Sequence, residues 1–226
     1  MTATIPVWDI WVRFGHWAVV AAIAFQWFSG EDIGLIDAHA SIGIILFGWV
    51  VFRVIWGFTG PTYARFGSFT PAGITSIKQS LKCLIKGTSE STPGHTAIGG
   101  IGIYVLLMLV ALSALTGMAS SDDIFFDGPL VPLLGSDLVE LASRSHSRVT
   151  DLLFIVIALH IAAIAWHVLR IKEPLLAGMW HGRKPAHGQS AGQPAANARM
   201  IWLRGFVFFS LCLGGAYGLF GIYLGW

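Results

Sequence analysis

The sequence predicts an all-α membrane protein, with a four-helix transmembrane bundle and a fifth transmembrane helix at the C-terminal end. Of its 226 residues, 55% are hydrophobic and only 12% are charged, whereas a soluble globular domain has about 25% charged residues. Five apolar runs are each long enough, at about 20 residues, to cross the hydrocarbon layer as a helix. The two cysteines, Cys83 and Cys212, lie far apart and indicate no disulfide framework.

The first two predicted spans are joined by a short acidic connection. The first covers about residues 11–29. We expect it to be retained, because no positive n-region precedes it and no small-residue cleavage site follows. The second covers about residues 39–58 and stops at Thr59-Gly60-Pro61, since glycine and proline end helices.

A short basic helix is predicted at about residues 71–86. Lys78, Lys82 and Lys86 recur at four-residue intervals beside apolar residues at helical spacing. This pattern is typical of a helix that lies in the membrane interface. An ordinary solvated helix face is the alternative.

The remaining spans complete one integral domain at residues 1–180. The third span covers about residues 97–118 and the fourth about 148–170. Residues 181–199 are rich in Gly, Ala, Gln and Pro and are predicted to form a cytoplasmic linker. The fifth span, at 200–226, then ends the sequence.

Basic residues predict the orientation of the spans. Twelve of the fourteen Lys and Arg residues fall on one side of the predicted membrane, and only Arg144 and Arg148 fall on the other. Because basic loops remain inside, we expect a multi-pass membrane protein with its basic connections in the cytoplasm. Its N-terminus would be cytoplasmic and its C-terminus periplasmic, with the acidic connections facing the periplasm.

Four histidines lie at two predicted depths. If the fourth span is helical, fourteen residues place His146 and His160 ~21 Å apart along the axis and within ~40° of one face. His39 begins the second span, at the outer level of His146, and His16 lies near the inner end of the first span. The pattern predicts an outer pair, His39 with His146, and an inner pair, His16 with His160.

Paired imidazoles without further ligands suit low-spin haem iron better than zinc. Because both axial positions are filled, the expected chemistry is electron transfer rather than oxygen binding. A helix-to-helix hydrogen bond is the alternative for any one histidine, and His167 is an alternative to His160 as inner ligand. The other histidines are predicted to lie in solvated loops: His95, His181 and His187.

Three arginines are candidate partners for haem propionates, because Arg forms bidentate pairs with carboxylates. Arg53 lies fourteen residues after His39, one haem level further in, and its alternative is snorkelling to the inner headgroups. Arg148 lies near His146, and Arg13 lies at the inner edge of the first span.

Several motifs resemble the prokaryotic cytochrome b561 and nickel–iron hydrogenase cytochrome b family. They are the R-x-x-H-W start of the first span, the H…F-R-x-x-W-G-F-x-G second span and the H-x13-H fourth span. The resemblance implies a four-helix, di-haem b membrane cytochrome with His16, His39, His146 and His160 as the iron ligands. His167 is not part of the motif, and the fifth span lies outside the four-helix pattern.

The resemblance also implies a role in a respiratory chain. A protein of this kind passes electrons across the membrane between the quinone pool and a periplasmic redox partner, either a c-type cytochrome or another oxidoreductase. Quinone is a candidate second cofactor, with quinone oxidoreductase activity left open, and no nucleic acid is expected. The alternative function is a haem-bearing anchor or assembly subunit of a larger redox complex, with the fifth helix contacting other membrane subunits. A haem-free transporter or channel is the third hypothesis.

Overall fold

A computed structural model describes residues 4–88, 94–185 and 198–222. His187 and most of the predicted linker lie outside these residues. The described residues form seven α-helices and one two-stranded sheet. Their bounds are α1 Ile10–Ser29, α2 Ile36–Thr59, α3 Ile74–Lys86, α4 Ala97–Met118, α5 Ser136–Trp166, α6 Leu175–His181 and α7 Ala198–Ala216, with β1 Thr4–Pro6 and β2 Arg183–Pro185.

Four helical segments are long and apolar enough to cross a membrane: Ile33–Thr59, Ala97–Met118, Ser136–Ile171 and Ala198–Gly221. The all-α membrane class is therefore confirmed. The predicted first span does form a helix, α1, but it is not among these four within the described residues. Arg13, His16 and Gln26 interrupt its apolar run. Five membrane spans thus remain a prediction.

The chain forms two compact units, each assembled from separated segments. The basic unit comprises residues 1–14, 55–105 and 157–205, and the acidic unit comprises 15–54, 106–156 and 206–226. The names follow from the charges: eleven of the fourteen Lys and Arg residues belong to the basic unit, and nine of the twelve Asp and Glu residues to the acidic unit.

The basic unit is held together by a ribbon and a tryptophan-rich core. Strand β1 pairs antiparallel with β2, with Ile5 opposite Lys184. Beside the ribbon, Ile5 and Trp8 are buried, and Met179 of α6 packs against them. This contact joins the start of the chain to residues that follow α5.

Polar side chains define the helix ends in the basic unit. Asp9 accepts hydrogen bonds from the backbone N–H groups of Trp11 and Val12 at 2.8 and 3.2 Å, which caps α1. Its second oxygen accepts the indole N–H of Trp56 at 3.2 Å. At the end of α2, the Arg204 guanidinium donates to the Thr59 carbonyl at 3.2 Å, a favourable place for a cation.

The acidic unit packs α2, α4 and α7 around Ile44, Met118 and Ala216, which are all buried. Gly48 of α2 permits this packing, because a Cβ at that position would lie 3.1 Å from the Ala216 Cβ and from the Cys212 carbonyl oxygen. Small residues allow such close helix contacts. The C-terminal helix is therefore part of the packed core of this unit.

Helix α5 differs from its predicted bounds. We expected a span at 148–170, but the helix begins at Ser136, twelve residues earlier, and its α-helical part ends at Trp166. A π-helical turn follows at His167–Ile171, and Lys172 then adopts a left-handed conformation with φ of +66°. His146 and His160 both lie within the uninterrupted α-helix.

Candidate cofactor site

The acidic unit brings His39 of α2 and His146 of α5 together. Their ring centroids are 6.4 Å apart and the ring planes are nearly perpendicular, at 86°. This is the outer pair that the sequence predicts. Both side chains are half-buried, so the pair lies within the helix packing.

Hydrogen bonds at Nδ1 assign the tautomer of each ring. Nδ1 of His146 lies 2.9 Å from the Ser113 carbonyl oxygen, which can only accept, so this nitrogen carries the proton. Nδ1 of His39 lies 3.0 Å from the Ser29 hydroxyl, which donates its own proton to the Phe25 carbonyl and therefore accepts from the ring. In both histidines the lone pair is consequently on Nε2, the nitrogen left for a metal.

A glycine lies beside each of these rings, but only the one beside His146 is needed to make room. A Cβ at Gly117 of α4 would lie 2.9 Å from Cε1 of His146, closer than real Cβ atoms approach. A Cβ at Gly30, just after α1, would lie 3.4 Å from Cε1 of His39. The ring of His146 therefore packs directly on the backbone of α4, and Gly117 is required for its position.

Both histidines line a cavity of about 350 Å³. This volume is within the usual range of ligand pockets, about 300–1,000 Å³. The wall is largely apolar, including Leu46 and Val110, with few polar groups. One of these is Gln26 of α1, whose Oε1 is buried without a hydrogen-bond partner, so the cavity contains an acceptor that a ligand or a water could satisfy.

The residues present fit an iron porphyrin. If the two Nε2 atoms faced one iron between them, two metal–nitrogen bonds of about 2 Å, plus about 1.2 Å from each nitrogen to its ring centroid, would separate the centroids by roughly 6.4 Å. The observed separation is 6.4 Å. Imidazoles oriented through their other nitrogen by carbonyl or hydroxyl oxygens are characteristic of metal ligands. Among the described residues, no group of three or more His, Cys, Asp or Glu side chains forms a metal cluster.

The predicted inner pair is not tested by this geometry. His16 lies on α1 in the acidic unit, where its ring meets the edge of Trp17 at 5.1 Å. His160 lies on α5 in the basic unit and is exposed. Because the two belong to different units, their pairing stays a prediction.

The candidate propionate partners have different surroundings. Arg53 is buried within α2, with 8% of its surface exposed, which agrees with an arginine directed into protein rather than toward lipid headgroups. Arg13 donates to the Trp180 carbonyl at 2.6 Å, and Arg148 is exposed. Their roles toward haem remain predictions.

The other described histidines have protein partners or lie at the surface. Nδ1 of His167 lies 3.1 Å from the Glu173 carboxylate, and Nε2 of His95 accepts the Trp8 indole N–H at 3.4 Å. His181 is exposed at the end of α6. His95 and His167 thus have protein partners, and none of the three histidines lines the cavity of His39 and His146.

Lys184 is a partly buried cation of the basic unit. Its ammonium donates to the Gly94 carbonyl at 3.2 Å and lies 4.9 Å from the centroid of the Trp8 ring. Burial lowers the pKa of Lys184, and the negative charge of Glu173 partly offsets this by raising it. The favourable contacts of the ammonium therefore do not fully replace its hydration.

The residues that orient the ligands were not predicted from the sequence. Ser29 is fully buried beside His39, and Thr116 lies 3.3 Å from Nδ1 of His146. The Ser29 contact could have been predicted, because Ser29 ends an apolar helix and a short connection leads from it to His39. The Ser113 contact had no signal, because its acceptor is a backbone carbonyl.

Comparison with family models gives a match to prokaryotic cytochrome b561 over residues 7–182. Comparisons with curated proteins and with solved structures give no match. The matched region includes all four candidate ligands and ends before α7. Together with the apolar helices and the imidazole pair in its cavity, the match shows that this chain belongs to the prokaryotic cytochrome b561 family and is a membrane electron-transfer protein that binds haem b.

Proposed function

We propose that the protein is a di-haem b cytochrome that transfers electrons across the membrane between the quinone pool and a periplasmic redox partner, a c-type cytochrome or another oxidoreductase. The observation that carries this proposal is the pairing of His39 with His146 at 6.4 Å between ring centroids. In the family as a whole, the cofactor is haem b.

The chain's own groups prepare the outer site for two nitrogen ligands. The Ser113 carbonyl and the Ser29 hydroxyl accept hydrogen bonds from the Nδ1–H groups of His146 and His39. Each Nε2 therefore has a free lone pair, and neither ring has to lose a proton before it binds a metal. Haem b held by His39 and His146 would supply one-electron exchange at its iron. The cavity wall is largely apolar, and the polarity around a metal site affects its reduction potential.

A second haem is proposed between His16 and His160. In its support, His160 follows His146 by fourteen residues on the same helix, α5, and all four histidines lie in the family-matched region. Arg53, with Arg13 toward the inner level and Arg148 toward the outer, is proposed to bind propionates. His167 is the less favoured inner ligand, because it is not part of the H-x13-H motif that contains His146 and His160.

The proposed orientation places the acidic connections in the periplasm of the bacterial inner membrane. It rests on the unequal distribution of Lys and Arg. We include α1 as a membrane span, which gives five, because it is a 20-residue, largely apolar helix that carries His16 and is followed by an acidic connection. With five spans the N-terminus is cytoplasmic and the C-terminus periplasmic.

Haem stoichiometry tests the proposal directly. The protein, purified from haem-replete cells in mild detergent, should contain two non-covalent haems b per chain by the pyridine haemochrome assay. Low-temperature difference spectra should resolve two α-band components, and a reduced quinol analogue should reduce at least one of them. A single haem per chain would contradict the inner site, and absence of haem would contradict the function.

The alternative, a haem-bearing anchor or assembly subunit without its own quinone chemistry, is favoured by one observation on α7. One face of this helix packs within the chain, while Leu203, Leu211 and Leu219 on its surface are exposed and available to other membrane subunits or to lipid. Deletion of residues 198–226 separates the two roles. Normal quinol reduction with loss of co-purifying proteins would identify α7 as an assembly helix.

A further inference from the structure

The cavity that contains His39 and His146 reaches the surface of the acidic unit. Its lining continues from the imidazoles to Asp32 and to Asp122 and Phe125 of the connection before α5. These last three side chains are exposed. A partner at this surface would therefore approach the site more closely than a partner elsewhere on the unit.

The connection carries two apolar side chains in a fixed loop. Oδ1 of Asp122 accepts the backbone N–H groups of Ile124, Phe125 and Phe126 at 3.0, 2.8 and 2.8 Å. These three bonds lower the pKa of Asp122, so it remains ionised and the loop remains closed. Ser121 and Asp127 pair across the base of the loop.

Ile124 and Phe125 are 77% and 72% exposed despite this order. Large apolar side chains that are exposed together on an ordered loop often belong to a protein-contact surface. Since the backbone is already ordered, binding a partner here costs little conformational entropy. The loop is thus prepared for a contact that the described residues of the chain do not supply.

The charge around the loop restricts the partner. The connections at residues 30–37 and 119–148 contain eight acidic residues and two basic ones, a difference of six negative charges, and Arg144 is already paired with Glu140. Such a surface repels anionic lipid headgroups and attracts cationic proteins. A small apolar centre with a charged surround suits a transient electron-transfer complex.

We propose that Ile124 and Phe125, with the surrounding carboxylates, form the docking surface for a soluble redox protein whose own cofactor edge is ringed by lysines. The inference rests on the proposed function, because it adds the partner surface of the same site. In the docked complex one electron crosses between the two proteins, with no proton transferred and no covalent bond formed or broken.

The test uses full-length protein in neutral-lipid nanodiscs and a basic mitochondrial cytochrome c as the probe. The protein is reduced with dithionite, freed of excess reductant and mixed in a stopped-flow instrument with ferric cytochrome c, so that one electron from each ferrous haem b reduces one ferric haem c. Affinity is measured separately, by interferometry on immobilised nanodiscs. Cytochrome c with acetylated lysines is the matched probe without the positive charge.

Two variants test the surface, and one exposed residue of the same connection serves as control. We expect F125S and D123K each to lower the second-order rate constant about tenfold at low salt and to weaken the affinity similarly. L133S should remain within about twofold, because Leu133 is 79% exposed but does not line the cavity. Acetylated cytochrome c should bind weakly to every form.

The outcomes separate this proposal from the function. Unchanged affinity and rate in both F125S and D123K, with normal haem spectra, would overturn the docking surface and leave the di-haem function intact. Equal binding of native and acetylated cytochrome c would also overturn it. Absence of haem from the unaltered protein would instead refute the proposed function, while the interferometry, which needs no electron transfer, would still test docking.

Discussion

Histidines in the two units have opposite surroundings. In the acidic unit, His39 and His146 use Nδ1 for hydrogen bonds to oxygen and face one cavity together. In the basic unit, His95 is satisfied by an indole and His167 by a carboxylate. A neighbouring imidazole in a shared cavity, rather than depth in the membrane, therefore distinguishes His39 and His146 from His95 and His167.

The largest expected effect is loss of the outer haem. We expect H39A and H146A each to remove or render high-spin one of the two proposed haems, because the remaining imidazole supplies only one axial ligand. H95A, in the basic unit, should retain both. Haem content and low-temperature EPR measure this, and equal loss in H95A would break the distinction between the units.

A second large effect separates His160 from His167. We expect H160A to remove the inner haem, whereas H167A should keep both haems and lose about 1 kcal/mol of stability with its carboxylate partner. Haem stoichiometry and thermal unfolding in detergent report the two effects. Retention of the inner haem in H160A together with its loss in H167A would reverse the ligand assignment.

Gly117 tests whether packing on α4 positions His146. In G117A the new methyl group overlaps the ring at 2.9 Å from Cε1, so we expect weaker retention of the outer haem, by about tenfold or more. G102A, on the same helix, is the control because its Cβ would meet nothing within 4 Å. Competition with apomyoglobin gives the relative haem affinities. An equal loss of affinity in G117A and G102A would show a general effect on α4 rather than a specific effect on His146.

Ser29 tests the orientation of His39 more gently. S29A removes the acceptor of the Nδ1 proton, and we expect a shift in the midpoint potential of the outer haem, with about 10-fold weaker haem binding. S113A leaves the backbone acceptor of His146 in place and should change neither. Potentiometric titration measures the midpoint potential. An unchanged potential in S29A would show that Ser29 does not orient the His39 ring.

The smallest expected effect concerns pH and Lys184. Burial lowers its pKa below the ordinary value of 10.5, so between the folded and unfolded pKa values the unfolded chain binds more protons. Stability should therefore rise as the pH increases through this window. Melting temperatures from pH 7 to 10 should show the rise in the unaltered protein and a flatter profile in K184M, and identical profiles would contradict the burial cost.

The sequence predicted the fold where apolar pattern decides it. Long apolar runs predicted α1, α2, α4, α5 and α7, because a membrane-spanning helix must satisfy its own backbone hydrogen bonds. The twelve additional residues at the start of α5 were missed, since their charged and polar side chains interrupt the apolar run. The strands β1 and β2 were also missed, because three-residue strands containing proline have no detectable periodicity.

The candidate site was predictable in part for a similar reason. Histidine is rare in apolar segments, so the spacing of His39 and His146 was visible, and the structure does bring them together. Gly117 and the Ser113 carbonyl were not predictable, because their importance arises only when α4 packs beside α5. Whether His16 meets His160 depends on the relation between the units and remains a prediction.

The ribbon of β1 and β2 has a consequence for biosynthesis. Strand β1 leaves the ribosome before its partner, which begins at Arg183, directly after the family-matched region. Pairing at such separation closes late. Until then residues Thr4–Pro6 have no strand partner, so the ribbon can form only after α1 to α6 have been synthesised. In a nascent chain that stalls before Arg183, these residues stay unpaired and accessible to proteases.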